Sequence, residues 1–162
     1  MSPADQRRFL AAQGWLELGD WRSANEELEE MTPPQRSHPD VLRLNVEIQS
    51  AGRKWECAAE AASALCRLVP GEPFGYIRLA FALHELKRTR EAFHVLLPAA
   101  DKFPATWLIP YNLACYCCQL GDGIAARDWL AQAFKLGDAE AIQLQAFEDP
   151  DLAPLWEGGE PL

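Results

Sequence analysis

Residues 111–133 read Tyr111-Asn-Leu-Ala-Cys115-Tyr-Cys-Cys118-Gln-Leu120-Gly-Asp122-Gly-Ile-Ala-Ala126-Arg-Asp-Trp-Leu130-Ala-Gln-Ala133. Leu113, Ala114, Cys117 and Leu120 follow the i, i+1, i+4, i+7 spacing of one helical face. Gly121-Asp122-Gly123 breaks that pattern and sets Asp122 to cap a second helix. Ala126, Leu130 and Ala133 then resume at i, i+4, i+7, and Gly137 stands where a helix often ends in a left-handed residue. The stretch predicts two helices joined by a tight turn.

The same pattern recurs upstream. Ala24, Ala58, Ala92 and Ala126 are spaced by 34 residues without a break, and Met31, Leu65, Ala99 and Ala133 follow seven residues later. Pro70/Pro104, Leu79/Leu113, Ala80/Ala114, Leu86/Leu120 and Leu96/Leu130 repeat at the same interval. Small residues suit the places where two antiparallel helices cross closely, because a bulky side chain there would push the axes apart. The register predicts an all-α chain of four helix pairs, at about 5–37, 38–72, 73–106 and 107–137, with a capping helix and tail over 138–162. No linker divides it, so one domain spanning 1–162 is expected, with loops at 32–38, 71–72 and 104–106.

These residues resemble the tetratricopeptide repeat, a 34-residue helix–turn–helix unit, over roughly residues 5 to 137. The likeness is carried by Tyr76-Ile-Arg-Leu-Ala80 through Ala92 and Ala99 to Pro104, and by Tyr111-Asn-Leu-Ala114 through Leu120-Gly-Asp122 to Ala133. The first unit contributes Trp15, Leu18-Gly-Asp-Trp21 and Ala24, with Pro33-Pro34 cutting its second helix short. Val41, Leu44 and Ile48 sit one position early, which predicts an extra residue near Gly52-Arg-Lys-Trp55, and Pro98 should kink or end its helix. Asp138 is placed to cap a further helix to about Phe147, with Ile142, Leu144 and Phe147 covering the last repeat. Glu148-Asp-Pro-Asp-Leu-Ala-Pro-Leu-Trp156 looks like the closing segment that often follows a bacterial Tyr-Asn-Leu-Ala-Cys repeat; Leu152, Leu155 and Trp156 should fold onto the capping helix, and 158–162 should fray.

Composition narrows the function. Of 162 residues, 49% are hydrophobic and 24% charged, which is ordinary globular composition. Fifteen Lys+Arg against 24 Asp+Glu give a net charge of −9, a field that repels phosphate backbones and argues against nucleic acid as the main partner. No apolar run reaches the roughly 18 residues of a membrane span, and the start lacks a signal-peptide core. Five cysteines without framework spacing suggest reduced thiols and a cytoplasmic location.

Catalysis is not expected. No phosphate loop, nucleophile elbow or oxyanion motif is present, and the Cys115–Cys118 cluster has the wrong helical geometry for a zinc knuckle, so no cofactor or metal is assigned. The resemblance instead implies a protein–protein interaction module that receives a peptide in a groove lined by first helices. Arg43, Gln49, Ile77, Arg78, Phe81, His84, Tyr111 and Asn112 are the residues assigned to that groove. Arg43, Arg78 and Asn112 fall at corresponding positions once the extra residue is allowed for, and resemble the carboxylate-holding arrangement of some tetratricopeptide domains; Phe9 and Gln13 depart from it in the first unit. Arginine offers a planar fork to a carboxylate and asparagine adds uncharged donors. A carboxylate-bearing peptide is the expected ligand. The alternatives are a secretion-type chaperone of the same repeat, and a redox or metal-handling protein using Cys115 and Cys118.

Overall fold

The computed structural model describes residues 1–157; the end expected to fray lies outside the described residues. The described chain is all helical. Ten α-helices follow in order: α1 (Pro3–Glu17), α2 (Trp21–Glu29), α3 (Pro33–Arg36), α4 (Pro39–Ala51), α5 (Trp55–Leu68), α6 (Pro73–Glu85), α7 (Thr89–Lys102), α8 (Leu108–Gln119), α9 (Gly123–Leu136) and α10 (Ala139–Glu148), then a 3-10 turn, Ala153–Leu155. Ser2, Asp20, Asp122 and Asp138 each accept backbone N–H bonds at a helix start, satisfying donors the helix itself leaves open.

The period is kept by the turns. Gly19, Arg53, Lys87 and Gly121 all have positive φ (81°, 54°, 63° and 85°) and stand 34 residues apart. Each is followed by an N–H that reaches five residues back: Asp20 to Trp15, Lys54 to Gln49, Arg88 to Leu83 and Asp122 to Cys117, at 2.8–2.9 Å. That bond and the left-handed residue form the helix-ending motif that satisfies a late carbonyl. The second helices consequently start at 21, 55, 89 and 123. The extra residue expected near Trp55 does not exist. Ala12, Val46, Ala80 and Ala114, again 34 apart, are all without exposed surface. Val41, Leu44 and Ile48 only suggested a shift because α4 is apolar on two sides: they pack with Ala24, Leu28 and Met31 in one cluster, while Leu42 and Val46 pack with Ala61, Ala62 and Leu65 in another.

Two compact units divide the chain, Met1–Ala82 and Leu83–Leu162. In the first, α2 and α5 bury Ala24 and Ala58 completely, and Asp5 ties the start of α1 to the linker before α3 by accepting from the Thr32 N–H (2.9 Å) and hydroxyl (3.1 Å). In the second, Ala92, Leu96, Ala126, Leu130 and Ala133 have almost no exposure. Burial of these stripes is the main stabilising contribution, at about 25 cal/mol per Å² of apolar surface.

Four local expectations are corrected. The 32–38 loop contains the single helical turn α3, where Pro33 and Pro34 occupy first-turn positions that need no N–H donor. Helix α7 continues through Pro98 to Lys102. Gly137 is extended (φ −124°) instead of left-handed; space, not dihedral freedom, demands glycine, since a Cβ would come within 2.6 Å of Ile142 and 2.9 Å of Trp107. On α10, Ile142 is buried with Ala146, but Leu144 and Phe147 are 63% and 54% exposed and do not cover the repeat.

Candidate interaction surfaces

The first unit gathers charge around one aromatic ring. Phe74, at the start of α6, lies under two guanidinium groups, Arg43 of α4 at 5.0 Å from its centroid and Arg78 one helical turn on at 5.3 Å. Arg43 is also ion-paired with Glu72, so its fork is committed. Arg78 makes no ion pair among the described residues. Phe81, one further turn along α6, is 36% exposed and stands edge-on to Trp55 at 5.7 Å. Half-buried Ile77 shares this helix. With the register fixed by the turns, Arg43 corresponds to Ile77 and Tyr111, whereas Arg78 corresponds to Leu44 and Asn112. Arg43 and Arg78 meet through Phe74, not through a shared repeat position.

Gln49 belongs elsewhere. Its amide donates to Asn25 Oδ1 (2.7 Å) and Asn45 Oδ1 (3.0 Å), and the three amides border a cavity of about 410 Å³ floored by Leu28, Val41, Leu42 and Ala61.

In the second unit, the outward face of α8 is covered by the chain itself. The segment after α10 lies across it. Tyr111 Oη donates to Asp149 Oδ2 at 2.8 Å and the Cys115 thiol points at the same oxygen at 3.7 Å. His84 Nε2 is 2.9 Å from Asp151 Oδ2, and its Nδ1 is 2.9 Å from the Thr89 hydroxyl. A carboxylate only accepts, so Nε2 carries a proton and donates to Asp151. Gln119 donates to the Asp151 carbonyl and Arg127 to the Leu155 carbonyl, both at 2.8 Å. Leu152 and Leu155 are buried. Tyr111, Cys115 and His84 are thereby reduced to 2%, 4% and 8% exposure, while Asn112 stays half-buried.

Burial first, and Asp149 second, raise the Cys115 thiol far above its ordinary range, and the Tyr111 phenol rises for the same two reasons. Burial also pushes Cys117 up to about 11, and Cys118 rises by the same cause. Reactive thiols are depressed, not raised. In this cluster burial favours the neutral thiol.

The closing segment was expected to lie on the capping helix. Trp156 meets it, ring to ring with Phe147 at 4.8 Å, whereas Asp149 turns to Tyr111 and Cys115 of α8, Asp151 to His84 of α6, and the Leu155 carbonyl to Arg127 of α9. No spacing in the sequence marked this route, since Asp149 and Asp151 fall outside the repeat.

The comparisons agree on the fold. No family model matches the sequence, and the search of curated proteins gives no match. Among solved structures, TTC0263, a thermophilic tetratricopeptide-repeat protein of Thermus thermophilus, superposes with a TM-score of 0.74 at 21% identity, covering 96% of this chain and 82% of that one. MamA MSR-1 gives 0.74 at 18% identity, with 84% and 78% covered, and a MamA RS-1 double mutant 0.75 at 13%, with 84% and 76%. The chain has the tetratricopeptide-repeat fold.

Proposed function

From that fold we propose that the chain is a protein–protein interaction module, and that the first-helix surface around Phe74 and Arg78 receives a partner peptide through a carboxylate. The observation that carries this reading is Arg78: its guanidinium is held over Phe74 with its donors uncommitted among the described residues, beside the half-exposed ring of Phe81. A carboxylate there gains charge-assisted hydrogen bonds, and apolar neighbours contact Phe81 and Ile77. Arg43, committed to Glu72, positions Phe74 instead of binding. Asn112 is assigned to the same role as Arg78 in its own repeat. The reading gives the chain no catalytic step and no cofactor, and its thiols suit a reducing cytoplasm.

The test is a fluorescence-anisotropy screen of short apolar peptides ending in a free carboxylate, each paired with its C-terminal amide. Acid forms should bind better than amides, and Arg78→Ala should weaken binding roughly ten- to a hundredfold. Arg90→Ala is the control, because Arg127 anchors the closing segment. Equal binding by Arg78→Ala and Arg90→Ala would remove the assignment.

A further inference from the structure

The second unit carries a carboxylate-reading surface of its own, and the ligand it reads is written in this chain. Three buried side chains, His84, Tyr111 and Cys115, turn to two carboxylates within one four-residue stretch, Asp149-Pro-Asp-Leu152. The receptors are an imidazole, a phenol and a thiol, and the chain's net charge of −9 repels anions at long range. Recognition is therefore by position and not by bulk attraction. The spacing is set by Pro150, which withholds a backbone donor and keeps the segment out of α10, and by Leu152, which has no exposed surface. The segment has no ladder of backbone bonds to the helices; its main-chain anchors are the Asp151 and Leu155 carbonyls, taken by Gln119 and Arg127. The segment itself is a turn, with the Asp151 N–H donating to Asp149 Oδ1 at 3.0 Å and the Leu152 N–H to the Asp149 carbonyl at 3.1 Å, so another segment with the same side chains makes the same contacts by adopting that turn.

We propose that this face of the second unit is a binding site for acidic Asp-x-Asp-Leu segments, occupied in cis by residues 149–152, and that a partner protein bearing such a segment binds by displacing the chain's own. The cis segment acts as a built-in competitor. Joined directly to α10, it is present at an effective concentration on the order of millimolar, so a single free segment competes poorly while the cis contacts are intact. Losing either partner strands buried donors, which is why an incoming segment must present carboxylates at both places.

The probe is a labelled peptide, Glu-Asp-Pro-Asp-Leu-Ala-Pro-Leu-Trp, titrated against the full chain. Asp149→Asn with Asp151→Asn weakens the cis contacts and leaves the receptor side chains unchanged. This variant should bind the peptide at least roughly tenfold more tightly than wild type. A peptide with both aspartates changed to asparagine should not bind, and adding Tyr111→Phe to the variant should return the affinity towards the wild-type value. Hydrogen exchange at residues 151–156 reports whether the segment has opened, and the helical circular dichroism reports the fold. Leu152→Ser is the second variant, removing the apolar anchor while keeping both carboxylates. An opened segment without peptide binding, a segment that stays protected in both variants, binding indifferent to Tyr111→Phe, or unfolding of both variants would each overturn the proposal. The last outcome identifies the segment as a brace alone.

Discussion

Lys87→Gly should stabilise the protein although it deletes a whole side chain. Lys87 has φ 63° and occupies the turn position held by Gly19 and Gly121 in the first and last repeats. A non-glycine residue in the left-handed region costs about 1–2 kcal/mol. Glycine gives back about 0.4–1 kcal/mol by loosening the unfolded chain. The difference leaves a net gain of about 0.5–1 kcal/mol, or roughly 1–4 °C in Tm for a chain of this size. Lys87 is exposed, so no packing is lost. The reciprocal change, Gly121→Ala, isolates the dihedral cost, because a Cβ there meets nothing within 4 Å; it should destabilise by the same amount. Ala131→Gly, at an exposed site inside α9, is the control and should cost about 1 kcal/mol through helix propensity alone. Urea unfolding followed at 222 nm measures all three, and an unchanged m-value identifies the shift as one of stability. If Lys87→Gly lowered stability as Ala131→Gly does, the left-handed turn would not be the element that keeps the period.

Two further predictions concern the core. Ala126→Glu puts an unpaired charge and extra side-chain bulk where no surface is exposed, and should cost several kcal/mol, enough to remove much of a typical ~5–15 kcal/mol stability; melting within a degree or two of wild type would contradict the packing. Thiol reagents at neutral pH should label exposed Cys57 in the folded protein and reach Cys115, Cys117 and Cys118 only on unfolding. Because Cys117 is raised from 9.0 to about 11, the unfolded chain loses that proton first, so its contribution is complete below pH 9 and is eroded as pH rises towards 11; Cys117→Ala should flatten that part of the stability profile.

How much of this was legible in advance depends on whether a residue repeats. Ala24, Ala58, Ala92 and Ala126 announced the fold because each sits in the same crossing, so one physical requirement is written four times. The turns were harder to read, since Arg53 and Lys87 do at positive φ what Gly19 and Gly121 do, and their chemical identity hides the equivalence. α4 misled for a related reason: its apolar residues serve two packing clusters, and a pattern read as one displaced stripe was two stripes in register. The groove assignment inherited that error, which is how Arg43 came to be matched with Arg78.

The residues proposed to bear on function lie where the period fails. Arg78 replaces the buried Leu44 of the preceding repeat and Asn112 occupies the same place in the next, so this position is free to differ in a way the alanine crossings are not. Asp149 and Asp151 belong to no repeat at all, and their partners were unreadable because contact between a helix face and a non-periodic segment leaves no spacing in either. Tyr111 and His84 were assigned to an open groove by their helical position; what no periodicity encodes is the chain's own segment lying over them. The donors of His84, Tyr111 and Cys115 are satisfied by the chain's own carboxylates, and the cost of stranding buried donors holds the segment to that face.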